Sequence, residues 1–215
     1  YGRYNAIAWS YMKEKGIEPK IEDGDMEILK GGDPDFIAFN YYSTATVKES
    51  KIDDSEGKFI GGDQQIATGD LGVFNGAHND FLEKTEFGWE IDPVGFRTTL
   101  REIYGRYNLP LIVTENGLGE FDKLEDNDII NDDYRIDFIR NHILACKESI
   151  TDGVELLGYC TWSFTDLLSW LNGYQKRYGF VYVDRNENDE KDLRRIKKKS
   201  FYWYKNVIAS NGEEL

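Results

Sequence analysis

Pro110-Leu111-Ile112-Val113-Thr114-Glu115-Asn116-Gly117 is a short apolar run that ends in a carboxylate and then a turn. Three consecutive large aliphatic residues of strand length, closed by Asn-Gly, read as a strand buried on both faces. Such strands belong to parallel sheets, whose C-terminal ends present side chains to a shared mouth. Glu115 is the residue at that end.

Working outward, strand and helix patterns alternate. Residues 4–15 read as a helix stopped at Gly16, and 25–30 as a second short helix closed by Gly31-Gly32. Residues 35–40 form an apolar run leading into Tyr41-Tyr42-Ser43. Asp92-Pro93 starts a helix, with Asp as cap and Pro at the first helical position. Phe96, Leu100, Ile103, Tyr104 and Tyr107 then share one face. Asp132 is expected to cap the next helix, striped by Ile136, Ile139, Ile143 and Cys146. A third strand covers 156–162 and a last helix about 196–208. Between 44 and 92 the chain is rich in Gly, Asp and Lys with weak periodicity, the signature of a long binding loop or lid.

Strands alternating with helices imply parallel strands joined by right-handed crossovers. Three parallel strands alone leave two open edges. The expected fold is therefore α/β: the C-terminal portion of a (β/α)8 TIM barrel, about three parallel strands with flanking helices, forming one partial domain over 1–215. The opening Tyr1-Gly2-Arg3, already inside a helical pattern, reads as part of something longer, and self-association or docking to a missing N-terminal half is expected. In such barrels the chemistry sits at the C-terminal strand ends, here Asn40 to Tyr42, Glu115 and Trp162.

Charge and composition narrow the partners. The 215 residues carry 26 basic and 40 acidic groups, net −14, which disfavours nucleic acid and anionic membrane surfaces. No stretch reads as a membrane span. Cys146 and Cys160 read as two buried free thiols of a reducing cytoplasm. His78 and His142 are too few and too far apart to suggest a metal site, so neither metal nor cofactor is expected. Gly61-Gly62 and Gly69-Asp70-Leu71-Gly72 lack a phosphate-loop lysine. The basic run Arg194-Arg195-Ile196-Lys197-Lys198-Lys199 reads as the solvated start of the last helix.

The strand ends collect a carbohydrate-binding set. A phenol such as Tyr42 can donate to the Glu115 carboxylate, and the Trp162 indole offers a flat face for a sugar ring. On the loop after the third strand, Ser169, Lys176 and Tyr178 supply a hydroxyl, a cation and a phenol, the donor types a phosphate monoester needs.

Asn40-Tyr41-Tyr42, Thr114-Glu115-Asn116-Gly117 and Gly158-Tyr159-Cys160-Thr161-Trp162-Ser163, in this order and spacing, resemble the C-terminal half of the retaining β-glycosidases of glycoside hydrolase family 1. The resemblance implies that Glu115 is the catalytic nucleophile, that Tyr42 contacts and orients it, and that Trp162 stacks near the sugar. Where ordinary members carry Glu-Trp, this chain has Ser169-Trp170. A serine there does not repel phosphate, and Ser169 with Lys176 and Tyr178 resembles the signature of the 6-phospho-β-glycosidases. The implied activity is cytoplasmic hydrolysis of a phosphorylated disaccharide or another β-glucoside 6-phosphate by double displacement, without a cofactor. Trp170 is also compatible with 6-phospho-β-galactosidase specificity. The acid/base of such enzymes lies in an Asn-Glu-Pro-like segment on an earlier strand, which these 215 residues do not contain. The alternative expectation is that this chain alone is a non-catalytic barrel fragment.

Overall fold

Leu111 and Val113 are fully buried and anchor the central strand of the main sheet. The structure, a computed structural model, describes residues 2–50 and 72–215. Its elements are α1 (Ala6–Lys15), α2 (Asp25–Gly31), β1 (Ile37–Asn40), β2 (Thr46–Glu49), β3 (Phe74–Ala77), α3 (Pro93–Tyr107), β4 (Leu111–Asn116), a 3-10 turn (Asp126–Asp128), α4 (Asp133–Thr151), β5 (Leu156–Thr161), β6 (Val181–Val183), β7 (Arg195–Lys197) and α5 (Lys199–Ala209). By internal packing the chain divides into two units, Tyr1–Ile37 and Ala38–Leu215.

In the first unit, Asn5 caps α1 by accepting from the Ile7 amide at 2.9 Å, and Gly16 ends it in the left-handed conformation. Asp25 and Glu27 occupy the first turn of α2, where they complement the helix dipole.

In the second unit the expected three parallel strands form one sheet in the order β1-β4-β5. β4 and β5 run parallel with Ile112 opposite Gly158 and Val113 opposite Tyr159, and the register shifts between Val113 and Asn116. α3 follows the Asp92-Pro93 start as expected, with the Asp92 side chain accepting from the Gly95 amide at 2.7 Å. Phe96 and Leu100 are its buried face. α4 packs on α3 and α5, and Leu118, Phe138, Ile139 and Phe180 form a core cluster with Tyr159, Phe201 and Tyr204 against it.

Four expectations need correction. Asp132 holds the cap position of α4, but its carboxylate makes no capping bond; it accepts from the Ser200 amide and hydroxyl and from Arg135 Nε instead. Within the basic run, Arg195–Lys197 is not helical but a strand, antiparallel to β6. Lys198 is not solvated: it is fully buried, with Asp122 and Asp166 as ion-pair partners. Cys160, on the outer strand β5, is exposed, whereas Cys146 is buried and its thiol is pushed up to about 12 by that burial. The stretch expected as a loop over 44–92 contains an antiparallel ladder, Thr46–Glu49 against Phe74–Ala77. Gly61-Gly62 and Gly69-Asp70-Leu71 lie outside the described residues.

His142 is a fully buried core residue. Its ring stacks on Phe138 with centroids 4.0 Å apart, and Nδ1 donates to the Phe138 carbonyl at 2.8 Å. Burial pushes its pKa down to about 4, against the opposing pull of that carbonyl and of Asp92. Between pH 6.5 and 4 the unfolded chain therefore binds a proton that the folded chain refuses, so stability falls as pH falls through this window. The loss reaches about 3 kcal/mol at the low end. Urea midpoints of the wild type and of His142→Phe, measured from pH 7 to pH 4.5, should show the variant losing less stability over this range. Parallel profiles for the two would contradict the assignment.

Candidate active site

The three strand ends are tied by side chains that the sequence placed there. The Tyr41 amide, just past β1, donates to the Glu115 carbonyl at 2.9 Å. Asn116 is fully buried. Its Nδ2 donates to the Tyr41 carbonyl at 2.8 Å, and its Oδ1 accepts from the Tyr159 hydroxyl of β5 at 2.5 Å. The Trp162 amide donates to the Asn116 carbonyl at 2.8 Å. One amide side chain thus bridges all three strands, which is why Asn follows Glu at this position. The Thr114 hydroxyl donates to Asn40 Oδ1 at 2.6 Å on the neighbouring strand.

Glu115, between Thr114 and Asn116, is half-buried, and the Tyr42 hydroxyl donates to its Oε2 at 2.6 Å. The Tyr42 phenol is raised well above its ordinary pKa, first by burial and then by this bond and the Glu115 charge. It therefore stays protonated and keeps donating. Trp162 is half-buried at the end of β5 and joined to Ser163 by a cis peptide bond.

The loop residues also converge. The Ser169 and Tyr178 hydroxyls lie 3.3 Å apart, and both residues are buried. Lys176 is 2% exposed, with Nζ 3.7 Å from the Trp89 ring centroid, 4.7 Å from Phe87 and 5.7 Å from Tyr178. Cation–π attraction of this kind is strongest over tryptophan. Trp89 in turn meets the Tyr42 ring edge-on at 5.4 Å. A continuous path therefore runs from Glu115 through Tyr42 and Trp89 to Lys176, Tyr178 and Ser169. Trp170 does not join it: it is 88% exposed.

Sequence reasoning missed Phe87 and Trp89, which lie in the stretch read as loop. The only available hint was their closeness to the Asp92-Pro93 helix start. It also missed Glu120, a buried carboxyl raised by burial, whose Oε1 accepts from the Glu86 amide at 2.7 Å and so tethers the segment bearing Phe87 and Trp89.

Residues 1–213 match the family description "Glycosyl hydrolase family 1". The chain belongs to this family. It is 53% identical over 219 residues to the aryl-phospho-beta-D-glucosidase BglC of Bacillus subtilis (strain 168), covering all of this chain and 46% of that protein. It is 43% identical over 216 residues to the 6-phospho-beta-glucosidase AscB of Escherichia coli (strain K12), covering all of this chain and 43% of that protein. The family 1 β-glucosidase structure from Thermotoga maritima superposes with a TM-score of 0.79 at 32% identity, covering 100% of this chain and 43% of that one. The chain spans less than half the length of these relatives. Among the described residues no helix is long and apolar enough to cross a membrane.

The strand-end junction leaves no room at Gly117: a Cβ there would overlap the Trp162 carbonyl oxygen. Because the obstacle is backbone, it cannot swing aside. Gly117→Ala should lower stability by about 1–3 kcal/mol or more, read from denaturant unfolding of the chain. Unchanged stability would mean that β4 and β5 do not close as described.

Proposed function

We propose that the protein containing this chain is a cytoplasmic retaining glycosidase that hydrolyses 6-phospho-β-glucosides, such as disaccharides phosphorylated on uptake. The carrying observation is the junction of two chemistries. The carboxylate Glu115, held by Tyr42, connects through Trp89 to the Ser169, Lys176 and Tyr178 cluster. The relatives BglC, an aryl-phospho-beta-D-glucosidase, and AscB, a 6-phospho-beta-glucosidase, support the phosphorylated substrate.

In this reading a Glu115 oxygen attacks the anomeric carbon as the glycosidic C–O bond breaks. The leaving oxygen takes a proton from a second carboxylic acid, about 5–5.5 Å from the nucleophile in retaining pairs. The same group then takes a proton from water, which attacks the glycosyl-enzyme and releases Glu115. Tyr42 keeps the carboxylate aimed, Trp162 stacks on the sugar, and Ser169, Lys176 and Tyr178 bind the 6-phosphate. Trp170 contacts the sugar in the galactoside reading.

Two chromogenic substrates test this: a 6-phospho-β-glucoside and its non-phosphorylated twin. The full-length enzyme should strongly prefer the first, and equal rates on both would remove the phosphate assignment. A faster 6-phospho-β-galactoside would reverse the glucoside choice. Glu115→Ala should abolish turnover, and Tyr42→Phe should lower kcat by about 10²–10³-fold, the scale for one lost preorganised donor.

The 215 residues contain no Asn-Glu-Pro-like segment. The second reading is therefore that this chain alone is catalytically silent, general acid catalysis being worth about 10²–10⁴-fold. It would dock to the rest of the barrel or to a second copy through the outer strands β1 and β5. Turnover by the purified chain would overturn the first point, and a monomer by light scattering the second.

A further inference from the structure

Lys176 lies in a loop whose shape is set from outside. Ser169 and Gly173 exchange two backbone hydrogen bonds, 2.9 and 3.0 Å long, closing a tight turn. Gly173 takes the left-handed conformation at φ 61°. The next two amides, of Tyr174 and Gln175, both donate to Glu187 Oε1, the second at 2.9 Å. Consecutive amides beside a left-handed residue form a concave anion seat, and here the anion is the chain's own carboxylate. A Cβ on Gly173 would overlap that carboxylate, so glycine is required for the approach as well as for the backbone angle. Arg185 lies over the Tyr174 ring at 3.5 Å.

On the other side of Lys176, the Arg177 guanidinium donates to the Val183 carbonyl at 2.9 Å and to the Arg185 carbonyl at 2.6 Å. The segment 183–187 therefore holds the Tyr174 and Gln175 amides on one flank of Lys176 and the Arg177 side chain on the other. Glu187 is exposed and belongs to no core.

We propose that Glu187 is a positioning residue for phosphate recognition: its carboxylate fixes the Gly173–Gln175 backbone and thereby sets where the Ser169 hydroxyl and the Lys176 ammonium stand. This deepens the phosphate reading above and rests on it. A glutamate in a hydrophilic loop would otherwise count as a solvated surface charge. Two amides on one carboxylate oxygen, with a glycine where a side chain would block it, distinguish it from one.

The test uses the full-length enzyme with p-nitrophenyl β-glucoside 6-phosphate and its non-phosphorylated twin. Glu187→Ala should raise KM for the phosphorylated substrate about 10-fold, the scale of a lost charge-assisted bond. KM for the twin, and Tm, should change little. Glu187→Gln keeps an Oε1 acceptor and should recover most of the loss. Gly173→Ala should mimic Glu187→Ala, and the double variant should lose less than the two effects combined. An unchanged KM for the phosphorylated substrate in Glu187→Ala overturns the proposal. So does an equal loss on both substrates with a lowered Tm, which marks a merely structural role. A wild type indifferent to the phosphate removes the functional reading itself, and that result is visible before any variant is made.

Discussion

The buried guanidinium of Arg135 is the constraint from which the rest of the site hangs. It is 1% exposed, and burying an arginine is tolerable only if its charge is matched and its donors are used. Both conditions are met. Nη1 donates to the Leu118 and Tyr178 carbonyls at 3.0 Å each, Nη2 to the Arg177 carbonyl at 3.1 Å, and Nε to Asp132 at 2.9 Å. Leu118 lies just past β4 and Tyr178 in the loop after β5. One side chain from the first turn of α4 therefore stitches the loop after Glu115 to the loop bearing the phosphate-type donors.

Around it the charges balance: Arg135, Arg177 and Lys198 face Asp122, Asp132 and Asp166. Burial works against the Asp122 carboxylate, yet Lys198 and Arg135 beside it hold its pKa below the ordinary value. Removing any one member would strand a charge in a dry interior, which is costlier than never having buried the pair. The network is a fixed frame. Lys176 stands apart from this frame, over the rings of Trp89, Phe87 and Tyr178.

How much of this was legible in the sequence depended on range. β4, the Asp92-Pro93 helix start and the α4 stripe are local patterns and stand where read, and the α3 stripe does so from Phe96 to Tyr104, Tyr107 being exposed. Glu115 and Tyr42 were legible because strand ends in parallel sheets converge by geometry. What was not legible came from distant partners. Arg194–Lys199 reads as solvated charge, yet burial alternates along it, with Ile196, Lys198 and Ser200 turned inward. Lys198 goes in because Asp122 and Asp166 meet it there, and no local window contains them. Asp132 obeys the cap position but is claimed by Ser200, 68 residues on. Trp89 and Phe87 matter through their contact with Lys176, again far along the chain. Cys160 looked like a core thiol because a strand pattern does not say which strand is outermost.

Two Asn-Gly dipeptides in the site will age differently. In such pairs the glycine nitrogen attacks the asparagine amide carbonyl, expelling ammonia and leaving, after hydrolysis, an acid. Asn116 is sheltered: it is fully buried and its amide is engaged at both ends. Asn172, beside Gly173 in the turn closed by Ser169, is only half-buried. Its deamidation would add a negative charge to the loop that carries Ser169 and Lys176. Chemical ageing of this protein would therefore begin in the loop between Ser169 and Lys176 and spare the β4 end that carries Glu115.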